Sequence, residues 1–160
     1  MNIKIIQKKS PNFDKRPKGV KINSIIIHYT GMKTFEDAYK RLCDKKSKVS
    51  SHYLIGRDGK IINLVDEKNR AWHAGFSHWK GIDNLNDISI GIELENPGHK
   101  FGYIPFSKKQ MDTLISLCKE LKNKYDIKED WVLGHSDISP DRKLDPGEKF
   151  EWNLIKRIFK

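Results

Sequence analysis

The 160-residue chain carries 31 Lys and Arg against 21 Asp and Glu, a formal net charge of +10, with 37% hydrophobic and 32% charged residues. That length supports one sizeable hydrophobic core and is short for two; no apolar run approaches the roughly 18 residues that cross a bilayer, so an integral membrane protein is not expected. The surplus positive charge draws polyanions of any kind, but the lysines are scattered and no basic block is interleaved with aromatics, so nucleic acid is not the expected partner.

Residues 1–21 are polar and irregular, broken by Pro11, Pro17 and Gly19, and read as a surface arm in front of one domain spanning residues 22–160. The first residues are basic without an apolar segment of secretory length. The cytoplasm is the expected compartment, with the periplasm or the exterior the alternative for a chain whose leader has been removed. Ile22 to Tyr29 is a continuous, largely β-branched run, the pattern of a strand covered on both faces. His28 falls near its end, before Gly31 releases the chain into a loop, which is where ligand-binding groups of α/β sheets collect. Thr34 is placed to cap a helix whose apolar Phe35, Ala38, Tyr39 and Leu42 recur at helical spacing, with Glu36 and Asp37 in its first turn.

Ser51 to Val65 holds two apolar runs either side of Asp58-Gly59, a strong hairpin signal. Arg70 to Trp79 is a loop dense in aromatics and small residues, with the composition of a binding surface. Ile88 to Glu95 reads as a second central strand, whose Gly91 leaves room for close approach to the backbone. Ser107-Lys108-Lys109-Gln110 is a capping box, and Phe106 with Met111 forms the hydrophobic staple around it. Met111, Leu114, Ile115, Cys118, Leu121 and Tyr125 then mark the buried stripe of a helix. Trp131 to Gly134 predicts a short strand delivering His135, and a last helix falls within Phe150 to Phe159. The order βα, ββ, β, α, β, α predicts a single α/β or α+β domain, a mixed central sheet flanked by helices. Cys43 and Cys118 both fall on predicted helices without any C-x-x-C pair, so two reduced thiols are expected.

The segment from His135 to Gly147 concentrates a histidine, a lysine and three carboxylates among turn formers, where a rigid loop is expected to aim them. Taken singly, His28 and His135 are more often structural than metal-binding. Each ends an apolar strand at a loop, however, and Asp145 follows His135 in the same segment. Three nitrogen and oxygen donors leave one tetrahedral position open to water, as hydrolytic zinc requires and structural zinc does not. Glu93 lies inside an apolar strand, where a carboxylate is costly unless paired or put to use; it is either a chemical partner of the metal or half of a buried ion pair with Lys143. His52 and His73 are candidates for substrate contact or for support of the metal ligands, with packing as the alternative. His78 and His99 read as surface residues.

Five motifs in order, His28-Tyr29-Thr30, Ser51 to Ile55, Arg70 to Gly75, Asn86 to Asn96 and His135 to Gly147, together resemble the type 2 N-acetylmuramoyl-L-alanine amidases. These are zinc enzymes that share a fold with bacteriophage T7 lysozyme and the peptidoglycan-recognition proteins. The resemblance runs from residue 22 to residue 152. It implies cleavage of the amide joining the lactyl group of N-acetylmuramic acid to the L-alanine of the stem peptide. It also implies one zinc ion on His28, His135 and Asp145, with Glu93 as general base and Lys143 as the cation that stabilises the oxyanion. Peptidoglycan or muropeptide fragments are then the partners, Trp72 and Trp79 offer faces to sugar or peptide, and a monomer is the expected state. Tyr29 stands where the cytosolic recycling branch commonly carries Asn, and Asn84 near where that branch carries an arginine. Those departures imply acceptance of both ordinary and 1,6-anhydro muramyl groups, with Tyr29 at the substrate. The opposed reading is a peptidoglycan-binding module without catalysis, and retention of all five site residues speaks against it.

Overall fold

The computed structural model describes residues 3–160. In chain order these form β1 (Ile5–Gln7), β2 (Phe13–Lys15), β3 (Ser24–Tyr29), α1 (Phe35–Cys43), β4 (Tyr53–Ile55), β5 (Ile61–Asn63), β6 (Asn69–Ala71) and β7 (His78–Trp79). They continue with β8 (Ile82–Asp83), β9 (Ser89–Leu94), α2 (Gly98–Phe101), α3 (Lys108–Tyr125), β10 (Val132–Gly134), α4 (His135–Ile138) and α5 (Trp152–Lys156). Six strands pair in the order β1-β5-β4-β9-β3-β10, with β4, β9, β3 and β10 mutually parallel and β5 antiparallel to β4. This is the mixed sheet flanked by helices that the order of elements predicts.

Alternation of side chains across each strand decides what lies on which face. Ile25 and Ile27 of β3, with Ile90, Ile92 and Leu94 of β9, pack with Met111, Leu114, Leu117, Cys118 and Leu121 of α3 in the largest core cluster. On the opposite face Ile26 joins Ala74, Leu85 and Leu133, while Leu54 and Ile62 meet Ala38 and Leu42 of α1. Each fully buried Ile or Leu contributes about 1.5–3 kcal/mol, so the α3 face holds the sheet rigid. The other face is left to carry His28, two residues on from Ile26, and the Ser89, Gly91 and Glu93 set of β9.

Local signals in the sequence act as expected at several points. Thr34 Oγ1 accepts from the Asp37 N–H at the start of α1, and Gly59 takes φ +88° in the β4–β5 turn, a conformation that costs glycine least. Ser107 Oγ accepts from the Gln110 N–H at the start of α3. Gln110 does not complete the capping box. Its Nε2 donates instead to the carbonyls of Ile55 and Glu95 at 3.0 and 3.1 Å, pinning the helix to the ends of β4 and β9.

Two readings are corrected. From Ile5 onward the stretch read as a surface arm, whose first two residues lie outside the described ones, is woven into the fold: β1 pairs in parallel with β5, β2 pairs antiparallel with β6, and Ser10 and Asn12 are buried. Arg16 donates to the carbonyls of Glu67, Asn86, Asp87 and Ser89. Polar composition concealed this, because Arg, Asn and Ser bury where backbone acceptors meet them, and those carbonyls lie far along the chain. The segment from His135, expected as a loop, opens as the single turn α4, which Asp137 Oδ2 closes by accepting from the Gly134 N–H at 2.8 Å.

Candidate functional site

His28 near the end of β3 and His135 just beyond β10 are delivered by neighbouring parallel strands. Asp145 arrives on the segment after α4, where its carbonyl accepts from the Ser136 N–H at 2.9 Å. Their donor atoms converge. His28 Nδ1 lies 3.0 Å from both His135 Nδ1 and Asp145 Oδ2, and His135 Nδ1 lies 3.2 Å from the same oxygen. All three side chains are buried. Burial, followed by the neighbouring His135, holds the His28 imidazole down to about 4, so it is neutral at pH 7. Burial would raise Asp145, but the adjoining His135 and His28 side chains outweigh it and keep the carboxyl well below its usual range.

The donor chemistry fits a metal ion. His135 Nε2 lies 3.0 Å from the Ala74 carbonyl; a carbonyl only accepts, so in the neutral ring that a metal ion binds, that nitrogen carries the proton and Nδ1 keeps its lone pair. Two imidazole nitrogens and one carboxylate oxygen, all within 4.8 Å of one another, form a donor set suited to a borderline divalent cation.

Glu93 enters from β9 directly opposite His28. Its Oε2 is shielded from solvent with no hydrogen-bond partner among the described residues. Burial, then the charge of Asp145, push this carboxyl well above its usual range against a smaller pull from Lys143. Lys143 lines the same cleft without bonding that oxygen, which disfavours the buried ion pair.

The site opens into a cleft of about 580 Å3 that Tyr29, Trp72, His73, Glu93 and Lys143 also line. The Tyr29 hydroxyl lies 2.9 Å from Nδ1 of His99. His99, expected as a plain surface residue, also stacks on Tyr103 and reaches Glu148. Arg41, Lys100 and Arg142 line the cleft too, and were not anticipated. Arg142 donates to the carbonyls of Ala74 and Phe76; backbone acceptors leave no mark in a sequence, so no residue pattern pointed to it.

Two expected substrate contacts lie elsewhere. His52 is fully buried, its Nδ1 accepting from the Gly91 N–H and its Nε2 lying 3.1 Å from both Arg16 Nη2 and the Asn69 carbonyl. Both ring nitrogens are thus engaged in holding backbone. Trp79 sits on the β7–β8 hairpin outside the cleft, its indole packed on the Ile26 cluster and its Nε1 donating to the Asp130 carbonyl. Asn84 is also outside the cleft, its Nδ2 bonded to Asp87 Oδ1.

Two histidines and an aspartate at the C-terminal edge of parallel strands, beside a half-buried glutamate and a lysine, define a metal-hydrolase type of site on an α/β sheet. Residues 18–148 match the family described as N-acetylmuramoyl-L-alanine amidase, and the chain belongs to that family. It is 43% identical over 147 residues to the N-acetylmuramoyl-L-alanine amidase AmiD of Escherichia coli, covering 84% of this chain and 52% of that protein. It is 37% identical over 164 residues to the 1,6-anhydro-N-acetylmuramyl-L-alanine amidase AmpD of Haemophilus influenzae, covering 91% of this chain and 87% of that protein. The chain therefore spans about half the length of AmiD and most of AmpD. The crystal structure of a selenomethionine AmpD derivative superposes with a TM-score of 0.85 at 29% identity, covering 98% of this chain and 94% of that one. Escherichia coli AmiD in complex with anhydro-N-acetylmuramic acid-L-Ala-D-gamma-Glu-L-Lys superposes with a TM-score of 0.79 at 39% identity, covering 90% and 60%.

Proposed function

We propose that this protein is a zinc-dependent amidase. It hydrolyses the amide between the lactyl group of an N-acetylmuramoyl or 1,6-anhydro-N-acetylmuramoyl residue and the L-alanine of a peptidoglycan stem peptide. One observation carries the catalytic reading over a binding module: the shielded, unpartnered Oε2 of Glu93, held opposite His28 at the convergence of three metal donors. A binding module gains nothing from a desolvated carboxylate, whereas a proton-transfer group does. The relatives named above support the choice of reaction.

His28, His135 and Asp145 would hold the zinc ion, which when bound supplies Lewis acidity toward the scissile carbonyl and makes water acidic near neutral pH. Glu93 takes a proton from the attacking water and delivers it to the leaving amine of L-alanine. A carboxyl with raised proton affinity serves both halves of that transfer. The Lys143 ammonium stabilises negative charge developing on the carbonyl oxygen. Arg41 and Lys100, lining the cleft, draw the carboxylates of the stem peptide, and Tyr29 and Trp72 offer aromatic faces to the muramyl ring or peptide.

Incubation of the zinc-loaded protein with defined muropeptides, read by mass spectrometry, tests this. Release of the intact stem peptide and the free muramyl sugar is expected; recovery of uncut substrate with folded, zinc-loaded protein would refute it.

A further inference from the structure

We infer that His73 is a positioning residue for the metal centre: it decides which nitrogen of His28 keeps a free lone pair, and Ser89 and Gly91 hold it in that role. The inference rests on the metal-site reading above. The hydrogen bonds are followed from their far end. Ser89 Oγ lies 2.6 Å from the Leu85 carbonyl, which only accepts, so the hydroxyl proton is used there. The same oxygen lies 3.1 Å from His73 Nε2 and meets it as an acceptor, so His73 Nε2 is the donor.

A neutral imidazole carries a single proton, which the Ser89 contact places on Nε2. His73 Nδ1 is therefore an acceptor. It lies 2.9 Å from His28 Nε2, which must carry the His28 proton. The lone pair of His28 is left on Nδ1, the atom that faces His135 and Asp145.

Gly91 supplies an independent observation. A Cβ on that residue would lie 2.4 Å from His73 Cγ, so the imidazole fills the space of a missing side chain on the site face of β9, between Ser89 and Glu93. The His73 and His28 rings meet edge to face with centroids 5.0 Å apart. With both nitrogens engaged and the ring wedged against the strand, His73 has no polar atom left for substrate.

The test measures zinc affinity of the full chain by competition with a chromogenic chelator, in wild type, His73→Phe, His73→Asn and Ser89→Ala. Loss of a hydrogen-bond partner behind a metal-bound histidine weakens binding about 10–100-fold, and that is the fall expected for His73→Phe. His73→Asn, which can offer an oxygen near the position of Nδ1, should recover part of it, and Ser89→Ala should cause a smaller fall. Nitrogen-15 NMR of the zinc-loaded wild type should place the His73 proton on Nε2. Unchanged zinc affinity in folded His73→Phe and in Ser89→Ala, or a His73 proton on Nδ1, would overturn the inference. A packing role alone would lower the melting temperature of the metal-free protein and leave affinity and proton position alone. If His73→Phe does not fold, Ser89→Ala and the NMR measurement decide. Wild type that binds no zinc would instead refute the metal-site reading itself.

Discussion

His28 and Glu93 face one another in parallel register on β3 and β9, on the sheet face turned away from α3. The proposed metal donor and the proposed proton-transfer group are thus spaced by a two-strand ladder with a buried isoleucine face behind it. Groups carried on such rigid elements are positioned more closely than groups carried on loops.

Glu93→Gln should therefore separate chemistry from folding. The variant should keep its zinc and its fold, because Glu93 is no ligand and its shielded Oε2 has no partner to lose. Turnover should fall about 10²–10⁴-fold, mainly in kcat. Lys143→Ala should lose about 10²–10³-fold by the same logic. Zinc content, melting temperature and kcat measured together on each variant check this; a destabilised pair with normal kcat would restore the ion-pair reading.

Metal removal should be reversible. One zinc per chain is expected from three donors with an open fourth position, chelation should abolish amidase activity, and added zinc should restore it. Asp145→Ala removes one of the three converging donors and should weaken zinc binding in a direct titration. An Asp145→Ala variant with wild-type affinity would take that residue out of the ligand set.

Substrate scope should rest on Tyr29 and not on Asn84, since Tyr29 lines the cleft and Asn84 does not. Comparable kcat/KM on matched reducing-end and 1,6-anhydro muropeptides is expected. A strong preference for the anhydro form would show that Tyr29 does not report specificity.

Stability should depend on acid pH through Glu67. Burial raises its carboxyl, but donors from Lys124, Tyr125 and Tyr53, each at 2.5 Å, outweigh it and hold the group below its ordinary 4.5. A depressed folded pKa contributes stability that is present above the unfolded value and lost as pH falls through the lower folded one. Glu67→Gln should therefore cost about 1–3 kcal/mol at pH 7, with the gap to wild type closing as pH drops below 4.5. Denaturation midpoints across pH 3–7 would show it; a gap independent of pH would contradict the assignment.

What the sequence by itself determined is whatever its local chemistry encodes. The β-branched run of β3, the Thr34 cap, the Asp58-Gly59 turn and the stripe of α3 each depend on residues within a few positions of one another, and each forms, β3 from Ser24 rather than Ile22 and the stripe with Leu117 buried where Ile115 and Tyr125 are only partly so. The convergence of His28, His135 and Asp145 was legible because strand ends and five ordered motifs indicated it. Tertiary structure alone decided the rest. Ser10, Asn12 and Arg16 look like a solvated arm until distant carbonyls meet them. His52, His73 and Trp79 share one composition of loop and strand-end residues, yet only pairing and register send His73 to His28, His52 to the Gly91 amide and Trp79 onto the Ile26 cluster outside the cleft. The physical reason is that a period of two tells which residues of a strand share a face, while the backbone groups and neighbours waiting on that face belong to other parts of the chain.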